Sequence, residues 1–446
     1  MAGRYKAYPE YKESGCEIIK VIPQHWICSP LKRNFKIVNG STPKSEENSF
    51  WEGNITWVTP GDLSKISVII SDSVKKITEE GLNSCGTSLV PQGSLILSTR
   101  APIGTIAIAG KELCTNQGCK SLVSKNRVQN KYFYYVIANS GKQLNNLGKG
   151  TTFLELSSDE LANYYVPEPS YEEQQQIVNF LDYETAKIDT LIAKQEKLIE
   201  LLKEKRQAVI SHVVTKGLNP DVSMKDSGVE WLGEVPEHWV VSKLKFESEI
   251  IDCRNKTPEY HSEGEYFVVR TTNVKNQQLN FNGALYTDEK NFKIWTQRGI
   301  PPVGSILFTR EAPTGEVCRV PNNLKFCMGQ RMMNFIAKDK LYADYLFDYL
   351  ISDCLERYIG SVSHGSTVSH LRVEQVENIP VLVPSRDEII SIHNEISKLK
   401  LSYDALVSKV ASTIELLKER KTALISAAVT GKIDVRDWQE LIEKQG

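Results

Sequence analysis

The sequence predicts an α+β protein built twice. Two similar mixed α/β globular heads are separated by two long helices that form an antiparallel coiled coil, a pseudo-twofold internal repeat. Three observations predict it. The first is repetition. Lys12-Glu-Ser-Gly-Cys-Glu17 returns as Lys225-Asp-Ser-Gly-Val-Glu230, and Ile22-Pro-Gln-His-Trp26 as Val235-Pro-Glu-His-Trp239, with His25 and His238 lying 213 residues apart. Ile199-Glu-Leu-Leu-Lys-Glu204 recurs letter for letter as Ile414-Glu-Leu-Leu-Lys-Glu419, 215 residues on. Such a period is the size of a domain, not of a solenoid unit. The second is a pair of stretches, about 170–216 and 385–431, without proline and without glycine until their ends. The third is the texture between them: short β-rich runs split by Gly and Pro turns.

The elements follow in order. Residues 1–168 form the first head, with strands expected at 55–58 and 94–97 and a helix at 131–144. Residues 169–217 form the first long helix. It begins after Pro169 with Glu172 and Glu173 in its first turn and stops at Lys216-Gly217. Residues 218–384 repeat the head, with a strand at 305–308 and a helix at 341–355. Residues 385–434 hold the second long helix, opened by Pro384 and Asp387-Glu388 and closed by Gly431. Acids at the start, bases near the end and a terminal glycine match the helix dipole and its caps.

In the second long helix Ile389, Ile392, Ile396, Leu399, Tyr403, Leu406, Val410, Thr413, Leu417, Arg420 and Leu424 advance by alternating threes and fours. That is a coiled-coil seam. The equivalent positions of the first are Ile188, Leu191, Gln195, Leu198, Leu202, Lys205 and Val209. Over residues 389–424 the rod is about 50 Å long at ~1.5 Å per residue. One apolar stripe needs a mate. The duplicate helix of the same chain is the simplest, run antiparallel so that the heads lie at opposite ends; pairing with another chain is the alternative.

Composition bounds the class. A 41% hydrophobic, 24% charged chain of 446 residues is ordinary for a globular protein of two to four domains. No apolar run approaches a membrane span, and the opening residues lack a secretory signal, so a cytoplasmic protein is expected. Nine cysteines include no C-x-x-C pair; the nearest, Cys114/Cys119 and Cys16/Cys28, are read with the rest as free, mostly buried thiols in a reducing compartment. His364 and His370 lack companions at metal spacing, so no metal site is expected. Phosphate loops, dinucleotide folds, zinc-helix motifs, nucleophile elbows and the Asn/Asp-Pro-Pro motif of amino-methyltransferases are missing, so no catalytic residue is assigned. The net charge of −1 means that any basic surface is local or supplied by partners.

What remains is a set of duplicated polar loops. Asn39-Gly-Ser-Thr-Pro-Lys44, carrying Ser41, Thr42 and Lys44, has a looser counterpart in Arg254-Asn-Lys-Thr-Pro258, carrying Arg254, Lys256 and Thr257. Backbone amides, hydroxyls and a cation in one turn suit a phosphate, or make an ordinary surface turn. Ser98-Thr-Arg-Ala-Pro-Ile-Gly104 is matched by Thr309-Arg-Glu-Ala-Pro-Thr-Gly315. Thr99, Arg100 and Arg310 at these strand ends reach a phosphate or a guanine edge, or brace their own loops. Lys149, Thr151 and Thr152 are matched by His364, Ser366 and Thr367, which suit a sugar–phosphate contact or a capping turn. The tips diverge elsewhere: Thr59 faces Arg270, Thr272 and Asn273, and Asn116-Gln117 faces Gln330-Arg331. Like scaffolds with unlike tips suggest two readers tuned to different targets.

These motifs resemble the specificity subunits of type I restriction–modification systems. The stretch from Lys225 to Trp239 is similar to the opening signature of that family's target recognition domains. So are Gly-Ser-Thr-Pro-Lys, Trp-Val-Thr-Pro-Gly-Asp-Leu and Ser-Thr-Arg-Ala-Pro-Ile-Gly, and the basic helix ends resemble its conserved spacer regions. The resemblance covers essentially the whole chain. It implies a non-catalytic subunit of an adenine methyltransferase and restriction complex, whose two recognition domains each read one half of a split, asymmetric site on double-stranded DNA. It implies a helix pair that sets the gap and docks two methyltransferase subunits, with restriction subunits joining them. S-adenosylmethionine, Mg²⁺ and ATP are then expected on those partners and none on this chain. A protein-only scaffold, or an orphan or phase-variable subunit serving a methyltransferase alone, is the alternative. Residues 254–260 depart from the family's loop pattern.

Overall fold

The computed structural model describes residues 5–15, 19–66, 68–149, 154–254, 256, 258–362 and 370–439. The chain divides into two compact units, Met1–Gln195 with Thr413–Gly446, and Glu196–Ser412. Each unit takes one head and one part of each long helix, and the buried residues of those helix parts join that head's core cluster.

In the first unit the opening motif is a hairpin, Tyr11–Glu13 antiparallel to Val21–Pro23. It delivers His25 and Trp26 to the start of the long helix Tyr171–Lys216. There His25 Nε2 lies 2.9 Å from Glu173, and the Tyr8 hydroxyl donates to the same carboxylate at 2.7 Å. Trp26 is fully buried beside them. The repeated Pro-x-His-Trp pattern thus seats an anchor for the core next to a partner for the acid in the helix's first turn. The main sheet runs in the order Phe35–Asn39, Cys119–Ser124, Leu95–Ser98, Ile106–Ala109, Ile69–Ile70. A smaller sheet pairs Cys114–Thr115 parallel to Trp51–Val58, with Lys76–Ile77 on the other side. Phe35, Tyr132, Phe133, Ile177, Phe180 and Ile188 share one apolar cluster with Leu424, Ala428 and Val429 of the second long helix. Asp189 and Lys421 close an ion pair between the two helices at 2.6 Å. Beyond Gly431 (φ 70°) the chain turns back, and Asp434 N donates to Lys6 O at 2.8 Å. A Cβ at Gly431 would lie 2.3 Å from Pro23, so this turn requires glycine.

The second unit repeats the plan. Met224–Asp226 pairs with Glu234–Pro236, and His238 Nε2 meets Glu388 at 2.9 Å, near the start of the helix Arg386–Val429. Here the Trp239 indole N–H also donates to Glu388, at 3.1 Å. The Trp26 indole N–H has no partner. The main sheet runs Ser248–Asp252, Met332–Ala337, Ile306–Arg310, Thr314–Arg319. A buried carboxylate, Asp348, pins the head to the second long helix through His393 Nδ1 (3.1 Å) and Lys400 Nζ (2.5 Å). Ile210, Val213 and Val214 of the first long helix share a core cluster with Ile389, Ile392 and Ile396 of the second. Arg206 and Asp404 pair across them at 2.7 Å. In both units, then, the long helices run antiparallel.

Four expectations need correction. The seam is rotated at several positions. Leu191, Leu198 and Leu406 are 43%, 40% and 45% exposed, while Ile192, Ile199 and Val407 turn inward. Each neighbour is also aliphatic, and packing selects it. Ile188, Ile396 and Leu424 are buried, and Leu202, Val209, Leu399, Tyr403, Val410 and Leu417 are half-buried, as expected. The helix expected at 131–144 is two, Asn130–Asn139 and Gly141–Leu147. At the break Ser140 Oγ donates back to Val136 O at 2.8 Å, ahead of a glycine. The helix expected at 341–355 is also two, Tyr342–Leu350 and Asp353–Val362. Asp353 N donates instead to Ser211 Oγ on the long helix, at 3.0 Å. Finally, Cys28 is disulfide-bonded, in a half-exposed strand. Six of the seven free cysteines are buried, and burial pushes the thiols of Cys114, Cys318 and Cys327 up to about 12.

Candidate nucleic-acid interface

In each head the end of the main sheet gathers polar loops from distant parts of the sequence. In the first head, Gly40 lets the 39–44 loop close on 116–118; a Cβ there would lie 1.9 Å from Asn116 O. Ser41 N donates to Thr115 O at 3.0 Å, and the Trp57 indole donates to Ser41 O at 2.9 Å. Thr42 donates its hydroxyl hydrogen to Gln117. The 98–104 loop joins through Thr99 N, which donates to Gly118 O at 2.8 Å, and Leu156 N, which donates to Thr99 O at 2.9 Å. These bonds set Arg100 against Glu155, with Nε at 3.1 Å and Nη2 at 3.0 Å from Oε2. Beneath them Lys120 is buried, its Nζ 3.3 Å from Asn39 Oδ1. Burial pulls its pKa down, against the opposing charge of Glu155. Lys149 pairs with Glu160 at 2.6 Å and holds that carboxyl below its ordinary value.

The second head uses the same hydrogen-bond frame. Arg310 N donates to Arg331 O (3.0 Å), Leu371 N to Arg310 O (3.1 Å) and Gly329 N to Val269 O (2.8 Å). The last matches Asn116 N donating to Val58 O at 2.9 Å. The frame makes Thr99 equivalent to Arg310, Arg100 to Glu311, Gln117 to Gln330, Gly118 to Arg331 and Glu155 to His370. The isolated bridges Arg100↔Glu155 and Glu311↔His370 confirm the last assignment. The two strand-end arginines are therefore one position out of register, and Asn116-Gln117 faces Gly329-Gln330 rather than Gln330-Arg331. Both loops carry a cis Ala–Pro bond.

Several expected contact residues are structural. Thr99 is buried, and its Oγ1 donates to Gly118 O at 3.3 Å. Asn273 is buried; it accepts from Arg270 N at 3.0 Å and donates to Asn280 O at 3.0 Å. Thr59 is the N-cap of a short helix, and both its backbone N–H (2.9 Å) and its hydroxyl (2.6 Å) donate to Asp62. Arg310 is buried, with Nη2 3.6 Å from Asp252, which Arg298 also meets at 3.2 Å. Arg254 lies over the Trp295 ring, 5.5 Å from its centroid, and Arg270 donates to Gly283 O at 2.9 Å. Lys44, Gln117, Lys149, Lys256, Thr272, Gln330 and Arg331 are exposed, and Ser41 and Thr42 half-exposed. Thr151, Thr152, Thr257, His364, Ser366 and Thr367 lie outside the described residues. Sequence reasoning missed Lys120, Glu155, Glu311 and Arg298. Only Glu311 had a signal, the shared Ala-Pro that fixes its loop register. Among the described residues no group of His, Cys, Asp or Glu is gathered to hold a metal, and no helix is long and apolar enough to cross a membrane.

A doubled scaffold that offers different charged tips from one frame defines a two-headed recognition protein. The family model for the type I restriction modification DNA specificity domain matches twice, over residues 23–201 and 236–424. The chain belongs to this family and is a DNA specificity subunit of a type I restriction–modification system. It is 26% identical over 450 residues to the type I restriction enzyme MjaIX specificity subunit of Methanocaldococcus jannaschii, spanning 97% of this chain and 99% of that protein. In fold it is similar to a chain of a structure described as the basis of complex assembly and conformational transition of the type I R-M system. That match has a TM-score of 0.63 at 16% identity and covers 92% of this chain and 99% of the other. The crystal structure of the HsdS subunit from Thermoanaerobacter tengcongensis matches with a TM-score of 0.51 at 16% identity over 94% of this chain and all of that one.

Proposed function

We propose that the chain is the non-catalytic reader of its complex. Each head reads one half of a split, asymmetric site on double-stranded DNA, and the paired helices set the gap and dock two methyltransferase subunits. Restriction subunits join that core. S-adenosylmethionine, Mg²⁺ and ATP bind to those partners, and the complex works in the cytoplasm. The observation that carries this reading is the pair of heads with one hydrogen-bond frame and unlike tips: Arg100 against Glu155 in one, Glu311 against Arg331 and His370 in the other. Phosphate contacts give affinity, whereas side chains at groove edges give sequence preference. Among the described residues Arg100 and Lys149 are paired to carboxylates and Lys120 is buried, so partner subunits supply much of the backbone attraction. The test is co-expression with a type I methyltransferase subunit followed by genome-wide mapping of methylated adenines. A single motif of two defined halves around an unspecified gap is expected. Methylation without such a motif, or methyl transfer by the chain alone, overturns the reading.

A further inference from the structure

We propose that Glu155 and Glu311 are positioning residues that hold one reading arginine in each head, Arg100 in the first and Arg331 in the second, for the edge of a guanine. This rests on the reading of the heads as DNA readers. In the first head the arginine stands on the loop at the strand's end and the carboxylate arrives from residue 155. In the second, the position equivalent to Arg100 holds Glu311. The arginine arrives from the neighbouring turn, at the place of Gly118, and pairs with Glu311 Oε1. His370 Nδ1 stands 3.8 Å from the other oxygen of that carboxylate.

The polarity of the pair is reversed and the pair is kept. Matching the strand-end arginines by sequence alone would choose Arg310, which is buried against Asp252. Arg331 adopts φ 67°, a conformation that L residues rarely take, and its carbonyl closes the frame by accepting from Arg310 N at 3.0 Å. The side chains of Arg100 and Arg331 are 43% and 45% exposed, against 9% for Arg310.

The chemistry follows from the donor count. A guanidinium has five N–H groups in a planar fork. Glu155 engages Nε and Nη2 of Arg100, which leaves Nη1 and the outer N–H of Nη2. That outer edge is the one that matches guanine O6 and N7. A braced arginine also loses less rotamer freedom when DNA arrives than a free one does.

The test uses the full chain assembled with its methyltransferase subunit and maps the methylated motif for Glu155→Ala, Glu155→Gln, Glu311→Ala and Glu311→Gln. Glu155→Ala is expected to lower discrimination at one G·C position of the first head's half by about 5- to 150-fold. Glu311→Ala does the same in the second half. The glutamine variants keep an acceptor oxygen for the arginine and fall between alanine and the parent. Thermal melting of each complex accompanies the mapping. If an alanine variant melts early, the isosteric glutamine variant decides: reduced discrimination supports the proposal, and unchanged discrimination overturns it. A parental motif lacking a G·C pair in either half also overturns it. A parent complex with no sequence preference at all would instead remove the DNA-reading assignment on which the proposal rests.

Discussion

Trp26 and Trp239 occupy the same place in the repeat, yet replacing each with phenylalanine should have different consequences. Both are fully buried. The Trp239 indole N–H donates to the Glu388 carboxylate at 3.1 Å, and its ring meets Tyr345 edge-on at 6.3 Å. The Trp26 N–H has no partner, because the corresponding carboxylate, Glu173, already accepts from Tyr8 and faces His25. A hydrogen bond to a charged group contributes about 1.5–3 kcal/mol. Trp239→Phe loses it, and Glu388 keeps only His238 and Ser385. For a unit of this size that lowers the melting temperature by roughly 3–12 °C. Trp26→Phe removes a buried donor that had no acceptor, so its loss is close to neutral beyond a small packing defect. Hydrogen exchange resolved by segment is the suitable assay, because two units do not guarantee a single transition. Equal destabilisation of the two units, or a greater loss from Trp26→Phe, would refute the reasoning.

The seam gives a second contrast. Ile396→Ala should cost about 2–5 kcal/mol because the site is fully enclosed, whereas Leu406→Ala should stay within ~0.5 kcal/mol, both read by denaturant unfolding. Glu388 supplies a pH dependence. Burial pushes its pKa up, but hydrogen bonds from Ser385, His238 and Trp239 outweigh that and hold it below the usual carboxylate value. A depressed folded pKa means that its contribution is present above the unfolded value of about 4.3 and is lost as pH falls through the folded one. The melting temperature of the second unit should drop over that acid range and drop less in Glu388→Gln. Arg310→Ala should destabilise the second head by about 1–3 kcal/mol, chiefly through the lost packing of a buried side chain, because Asp252 keeps Arg298. Its cost should appear in unfolding before any change in the preferred DNA motif.

The duplication, the two long helices and their glycine stops are legible in the sequence because each rests on local rules that packing does not override. Pro169 and Pro384 mark the helix starts, and Gly217 and Gly431 adopt the positive φ that ends them. The seam is legible only to within one residue. Leu191 and Ile192, Leu198 and Ile199, and Leu406 and Val407 are adjacent aliphatics, so a three-four spacing does not choose between them. The helix break after Leu350 depends on Ser211 of the long helix, which accepts from Asp353 N and which only the fold supplies, whereas the break at Ser140 is a local bond to Val136 O that the spacing of apolar residues does not reveal. At the interface the loops are visible but their roles are not. Arg100 and Arg310 look alike in sequence, yet one is on the surface and the other lies beneath it, and the shared Ala-Pro sets the true alignment. Glu155 is 55 residues from Arg100, so only the closed fold makes it a partner.

A head exchange tests the twofold DNA reader most directly. Residues 18–168 are replaced by the equivalent head of another specificity subunit, the chimera is assembled with its methyltransferase, and the methylated motif is mapped. One half of the motif should change while the other half and the gap remain as in the parent. A change in both halves, or in neither, contradicts the division of reading between two independent heads.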